Sequence, residues 1–248
     1  MKFPLSIFTK KPSPTEKPDF SNMWGEPETI RWVNNEIPYC IIDNYYTPEE
    51  LKLIWEELDF LCYDSRKKHL DYLTQKEKLK PPSETGSASV GEGSHERILK
   101  NNSALNLDGV YADRDVSNIL QINQRVIKEF HETLAPESPN WFFKNGHKTI
   151  HLDVTLLSYY EDGGYYEPHV DSAVYTIFSW FHKEPKRYTG GDLVLTDIGD
   201  TIEARNNRVV IIPSFAYHEV LPIVMEDEYV GTKQGRWCMA QFLGIPFM

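Results

Sequence analysis

After Trp141 the chain changes character. The rest of it breaks into six short apolar runs, "KTIHLDVTLLSYY", "AVYTIFSWF", "GGDLVLTD", "TIEARNNRVVIIPS", "YHEVLPIV" and "GRWCMAQFLGI", with glycine, proline and polar residues between them. Runs this short, rich in β-branched and aromatic residues, predict the strands of an antiparallel sandwich or barrel. The segment before them follows a different period. "IPYCIIDNYYTPEELKLIWEELDFL" predicts a strand over 39–42, then a helix. Thr47 is its N-cap, Pro48 its first residue, and Glu50 closes a capping box three residues after the cap. Leu51, Ile54, Trp55 and Leu58 recur at helical spacing and give it one apolar face. A second helix is predicted in "DRDVSNILQINQRVIKEFHETL", with Val116, Ile119, Leu120, Ile122, Val126, Ile127 and Phe130 on its face. Helices first and strands after them make the fold class α+β.

At 248 residues the chain has room for one large domain, and it shows no internal repeat. We divide it into an N-terminal arm, 1–28, and a single domain, 29–248, whose strand-rich core is 141–248. Periodicity collapses over 65–103, where "QKEKLKPPSETGSASVGEGSHE" holds little but Pro, Gly, Ser and charge. That span is a flexible insertion, to be read as a disordered surface segment or as a lid over a site.

The formal charge is −11, from 26 basic and 37 acidic residues. A field of that sign repels phosphate backbones and anionic lipid, so neither nucleic acid nor a membrane is an expected partner. The basic clusters, Lys10-Lys11 and Arg66-Lys67-Lys68, are short. Cys40, Cys62 and Cys238 form no CxxC pair and are odd in number, which points to a reducing, cytoplasmic setting.

Three His-x-Asp tripeptides occur, and context separates them. His69 and Asp71 sit in a charged stretch with no strand behind them, as a solvated face would. His151 and Asp153 share a strand face with Thr155, which reads as the wet face of an edge strand or as support for a nearby site. His169 and Asp171 follow a strand and a Gly-Gly turn and precede another apolar strand. Ligands at i and i+2 on extended chain point the same way and reach one metal ion. His218, between two apolar runs, supplies a third. Two imidazoles and one carboxylate with open positions form the facial triad of non-haem Fe(II) oxygenases.

Arg236 gives an independent clue. "GRWCMAQFLGI" alternates Arg236, Cys238, Ala240 and Phe242 with Trp237, Met239, Gln241 and Leu243, so both faces are mostly apolar and both are expected to be buried. A guanidinium in such company needs an anion. That anion is either an internal acid, making a salt bridge, or the carboxylate of a ligand gripped bidentately.

Together these residues resemble the 2-oxoglutarate- and Fe(II)-dependent dioxygenases, and within them the prolyl 4-hydroxylase-like branch. The frame Tyr-x-x-Gly-x-x-Tyr-x-x-His-x-Asp is present as Tyr160, Gly163, Tyr166, His169 and Asp171. It continues with Gly190-Gly191-Asp192-Leu193, Pro213-Ser214, His218-Glu219-Val220 and the basic Arg236. The likeness covers roughly 150–245. It departs from the pattern in the 18 residues from His218 to Arg236, about twice the usual gap; the excess, "MEDEYVGTKQ", reads as a hairpin insertion. Lys233, inside it, is the poorer candidate for the basic position.

The resemblance implies a double-stranded β-helix (jelly-roll) core supported by the N-terminal helices. It implies Fe(II) on His169, Asp171 and His218. It also implies 2-oxoglutarate held by Arg236 and a tyrosine, with Tyr160 preferred over its neighbour Tyr159. Dioxygen is the oxidant, 2-oxoglutarate leaves as succinate, and ascorbate is an accessory reductant the family allows. Trp180 and Tyr166 are expected to line the substrate side, with core packing as the other reading of Tyr166. The implied reaction is hydroxylation of an unactivated C–H, foremost in a prolyl residue of a peptide or protein. A free amino acid or other small metabolite is the alternative substrate, and a non-catalytic jelly-roll binding module the alternative function.

Overall fold

The computed structural model describes residues 29–62, 89–90 and 97–245. The predicted arm, most of the 65–103 insertion and the His69-Asp71 pair lie outside those residues.

The strands in chain order are β1 (Thr29–Val33), β2 (Tyr39–Asp43), β3 (Ser89–Val90), β4 (Arg97–Ile98), β5 (Lys100–Asn101), β6 (Ser103–Asn106), β7 (Leu152–Tyr160) and β8 (Tyr165–His169). They continue with β9 (Tyr175–Phe181), β10 (Tyr188–Gly190), β11 (Leu193–Leu195), β12 (Asp200–Ile202), β13 (Arg208–Pro213), β14 (His218–Val220), β15 (Ile223–Met225) and β16 (Arg236–Gly244). Two antiparallel sheets dominate: a seven-stranded one, β1-β2-β13-β9-β16-β7-β6, and a five-stranded one, β12-β11-β14-β8-β5. Two-stranded ribbons, β10-β15 and β3-β4, complete the set.

The alternation along β16 decides the layering. Cys238 and Ala240 face a core shared with Leu193, Leu195 and Val220 of the smaller sheet. Trp237, Met239 and Leu243 face a second core, with Ile54, Leu58, Ile119, Val126 and Phe130 from the helices. The larger sheet is therefore buried on both faces, as its apolar runs predict. Each buried Leu or Ile adds about 1.5–3 kcal/mol to that sandwich.

Helix α1 (Pro48–Cys62) starts as predicted. The Glu50 amide donates to Thr47 Oγ1 at 3.1 Å, and the Thr47 amide donates to Glu50 Oε2 at 3.0 Å. A short turn of helix, α2 (Leu107–Val110), precedes α3 (Asn118–Glu129), α4 (Ala135–Glu137) and α5 (Trp141–Gly146). The second predicted helix begins later than its periodicity suggests. Ser117 caps it by accepting from the Leu120 amide, and Val116 lies on a preceding 3-10 turn, 59% exposed. A cap hydroxyl at Ser117 outcompetes continued helix there, because it satisfies a free amide of the first turn.

Three other expectations change. The 65–103 span does not stay irregular to its end: β5 pairs with β8 and β6 with β7, so this chain crosses from the smaller sheet to the larger at Asn102. A strand that changes sheets closes one corner of the sandwich. The segment 225–234 is no hairpin: Met225 ends β15, which pairs with β10, and a 3-10 turn at Asp227–Tyr229 leads on to β16. Thr155 is not on a wet face. It is buried beneath α3, accepting from Asn123 Nδ2 at 3.0 Å, while Asp153 holds Arg114 and only His151 is exposed. No helix among the described residues is long and apolar enough to cross a membrane.

Candidate metal centre and anion pocket

The turn between β7 and β8 sets up the site. The Gly164 amide donates to the Glu161 carbonyl at 2.8 Å, and a Cβ on Gly164 would lie 2.7 Å from that oxygen. Both acids of the turn are engaged: Glu161 Oε2 accepts from the Tyr159 hydroxyl, and Asp162 Oδ1 accepts from the Met225 amide. The reversed chain then runs along β8 to His169, which pairs directly with His218 at the start of β14.

His169, Asp171 and His218 present ligand atoms that all lie within 4.8 Å of one another. Asp171 Oδ1 is 3.7 Å from His169 Nε2, and Oδ2 is 3.5 Å from His218 Nε2. Both imidazoles are oriented by the same device. Nδ1 of His169 lies 2.8 Å from the Glu167 carbonyl, and Nδ1 of His218 lies 2.9 Å from the Ala216 carbonyl. A carbonyl fixes the proton on Nδ1 and leaves Nε2 as the lone-pair donor toward the centre. Asp171 is held by Thr176, whose hydroxyl donates to Oδ2 at 2.7 Å, and Thr176 in turn contacts Ser214 Oγ at 2.9 Å.

Burial, then the neighbouring His218, holds the His169 imidazole down to about 4, and burial lowers His218 as well. Burial raises the Asp171 carboxyl, against the Thr176 hydrogen bond. Two neutral imidazoles and one carboxylate converge, a donor set suited to a divalent first-row ion.

Arg236 is 1% exposed, and neither Nε nor Nη1 has a hydrogen-bond partner. No ion pair to it exists among the described residues, so the salt-bridge reading falls. The guanidinium lies between two rings, 5.0 Å from Tyr160 and 5.2 Å from Trp180. Gly191, at φ +74°, leaves room for it, since a Cβ there would meet Arg236 Cδ at 3.0 Å. Burial pushes the Tyr160 hydroxyl up to about 12, against the pull of the Arg236 charge beside it. An orphaned buried guanidinium beside a phenol hydroxyl fits a ligand carboxylate.

The other expected site residues sort clearly. Tyr166 stacks on His169, ring centroids 3.5 Å apart and 15° between planes, so it belongs at the centre. Tyr159 is turned away into the helix-side core, packed on Trp237 and accepting from the Gly235 amide. Lys233 Nζ lies 4.7 Å over the Tyr159 ring and is likewise away from the triad. Trp180 is 1% exposed, with its ring 5.2 Å from the Arg236 guanidinium. The sequence reading missed Thr176, Asn102 and Lys100. No pattern in the sequence marked any of the three.

Residues 154–244 match the model of the 2OG-Fe(II) oxygenase superfamily, a span that includes His169, Asp171, His218 and Arg236. That family uses Fe(II), 2-oxoglutarate and dioxygen. Among solved structures, the chain resembles a prolyl hydroxylase of Trichoplax adhaerens in complex with a peptide fragment of the hypoxia inducible factor oxygen degradation domain. The identity is 11%, with 83% of each chain covered and a TM-score of 0.51. A prolyl 4-hydroxylase of Phytophthora capsici matches at 16% identity over 83% of this chain and 58% of that one, TM-score 0.50. A Pseudomonas putida prolyl-4-hydroxylase matches at 14% over 84% and 93%, TM-score 0.49. At these identities the likeness is one of fold. No curated protein sequence matches the chain.

Proposed function

Residues 154–244 belong to the 2OG-Fe(II) oxygenase superfamily, and from that premise we propose that the chain hydroxylates a prolyl residue in a peptide or protein. The observation that carries the oxygenase reading to named residues is Arg236, a buried guanidinium with no internal anion, on the inter-sheet face that also holds the His-Asp-His cluster. The two facing sheets are read as the halves of a double-stranded β-helix, with α1 and α3 buttressing the larger.

In this reading Fe(II) is held by His169 Nε2, His218 Nε2 and the Asp171 carboxylate. The 2-oxoglutarate is anchored by Arg236 and Tyr160. Bound together with dioxygen, these groups supply an oxidant strong enough for an unactivated C–H, at the expense of one carboxylate lost as carbon dioxide. The chain does the rest. Carbonyls of Glu167 and Ala216 keep both Nδ1 protons in place, so neither imidazole tips away from the centre. Thr176 keeps the Asp171 carboxylate aimed at both Nε2 atoms. Trp180, Cys238 and Ala240 keep the anion pocket dry, where a charge-assisted pair is strongest.

The prolyl substrate is supported by the tyrosine–glycine–histidine frame from Tyr160 to Asp171, and by the shared fold of the Trichoplax enzyme solved with its peptide. An anaerobic Fe(II) titration with and without 2-oxoglutarate, wild type against His169→Ala, tests the site. Development of a 2-oxoglutarate-dependent visible band in wild type alone is the expected result. A mass-spectrometric screen of proline peptides in air then tests the substrate; no oxidised peptide alongside robust succinate formation would reject the prolyl assignment.

A further inference from the structure

Lys100 is the other buried cation at this site, and it has no role in the scheme above. It lies on β5 directly across from Tyr166 of β8, and it is only 8% exposed. Its Nζ sits 5.4 Å from the Tyr166 ring centroid, and that ring is the one stacked on His169. No carboxylate or hydrogen-bond acceptor meets the ammonium among the described residues. Its stem is buried while the ammonium itself keeps contact with solvent, so the charge stays available to a ligand beside the cluster.

Lys100 sets a positive charge close enough to the cluster to act on His169. Both carboxylates of 2-oxoglutarate already have places, one on Arg236 and one at the metal. The ammonium is left for something else.

Resting on the oxygenase reading, we propose that Lys100 binds a carboxylate of the primary substrate, so that the favoured substrate is an acid whose target C–H lies beside a free carboxylate. The carboxylate comes either from the main chain of a free amino acid or peptide terminus, or from an acidic side chain flanking the target residue. Tyr166, between Lys100 and His169, then sets the spacing between anchor and reacting carbon.

The test compares free proline with prolinamide, and capped proline peptides bearing a flanking glutamate with the same peptides bearing glutamine. Wild type and Lys100→Met are assayed in two ways: calorimetric binding to the iron-free protein, and KM and kcat for product formation with the holoenzyme. In wild type one acid should bind about 30-fold more tightly than its neutral partner, a gap typical of an anion lost from a buried charge pair. Lys100→Met should erase that gap, mainly through KM, while leaving the 2-oxoglutarate Kd and the melting temperature of the protein unchanged. The proline pair and the glutamate pair report which source of carboxylate is used. Equal binding of acids and amides by wild type overturns the inference. So does a Lys100→Met variant whose defect is in 2-oxoglutarate affinity. Lys100-dependent binding of acids with no oxidation of any proline compound refutes the prolyl reading alone. Lys100-independent oxidation of the neutral peptides supports the prolyl reading and overturns this one.

Discussion

Arg208 and Arg236 are both buried in the larger sheet, and they have been treated oppositely. Arg208 faces Asp43 on the adjacent strand, with Nε 2.5 Å from Oδ1 and Nη2 2.9 Å from Oδ2, and its Nη1 donates to the Glu203 carbonyl at 2.9 Å. Every face of that guanidinium is used. Arg236 has two rings, a phenol and two unpartnered nitrogens. The first belongs to the scaffold, where burying a charge is tolerated because its partner is built in. The second is a charge kept for a visitor. A single arginine in an apolar strand does not distinguish these cases; the register of the neighbouring strand does.

The contrast can be broken most directly by removing each arginine in turn. Arg208→Met should destabilise the protein by about 3 kcal/mol, because it strands Asp43, whose side chain is 29% exposed. In a chain of this size that lowers the melting temperature by about 6–12 °C. Arg236→Met should hold or raise it in the absence of ligand. If both variants melt early, Arg236 is structural and the anion pocket is misassigned.

Ligand binding should show the reverse. Arg236→Met should weaken 2-oxoglutarate by about 30-fold or more, which calorimetry on the metal-loaded protein reads directly. Arg208→Met, once folded, should bind it as wild type does.

A smaller effect lies at the metal cluster. Thr176→Val removes the hydroxyl that holds Asp171 and should lower Fe(II) affinity about 10-fold, with little change in melting. The smallest is in the scaffold. Thr47→Ala opens the capping box of α1 at a cost of about 1 kcal/mol, measured by denaturant unfolding, and leaves both ligand affinities alone.

Much of this site was legible beforehand. His169 and Asp171 share a short extended segment with a turn before it, and such local spacing survives folding because strand geometry is local. His218 was legible as a third ligand only by its setting between apolar runs, but β14 does bring it against His169. The start of α1 was equally plain, since a capping box is made by residues three apart. Local patterns misled where a competing local signal was stronger: Ser117 stopped a periodicity that included Val116, and Thr155 was dried by α3, whose approach strand alternation does not report.

The residues alone therefore specify the elements and the chemistry within each: α+β, six strand-bearing runs, a His-x-Asp after a glycine turn, and arginines at the heads of two apolar strands. Which charges are satisfied depends on how distant segments pair. Asp43 and Arg208 meet 165 residues apart in the chain, Arg236 meets no carboxylate among the described residues, and Lys100 reaches Tyr166 because β5 pairs with β8. Burial and pairing are properties of distant segments brought together, and a desolvated charge is defined by what those segments fail to supply.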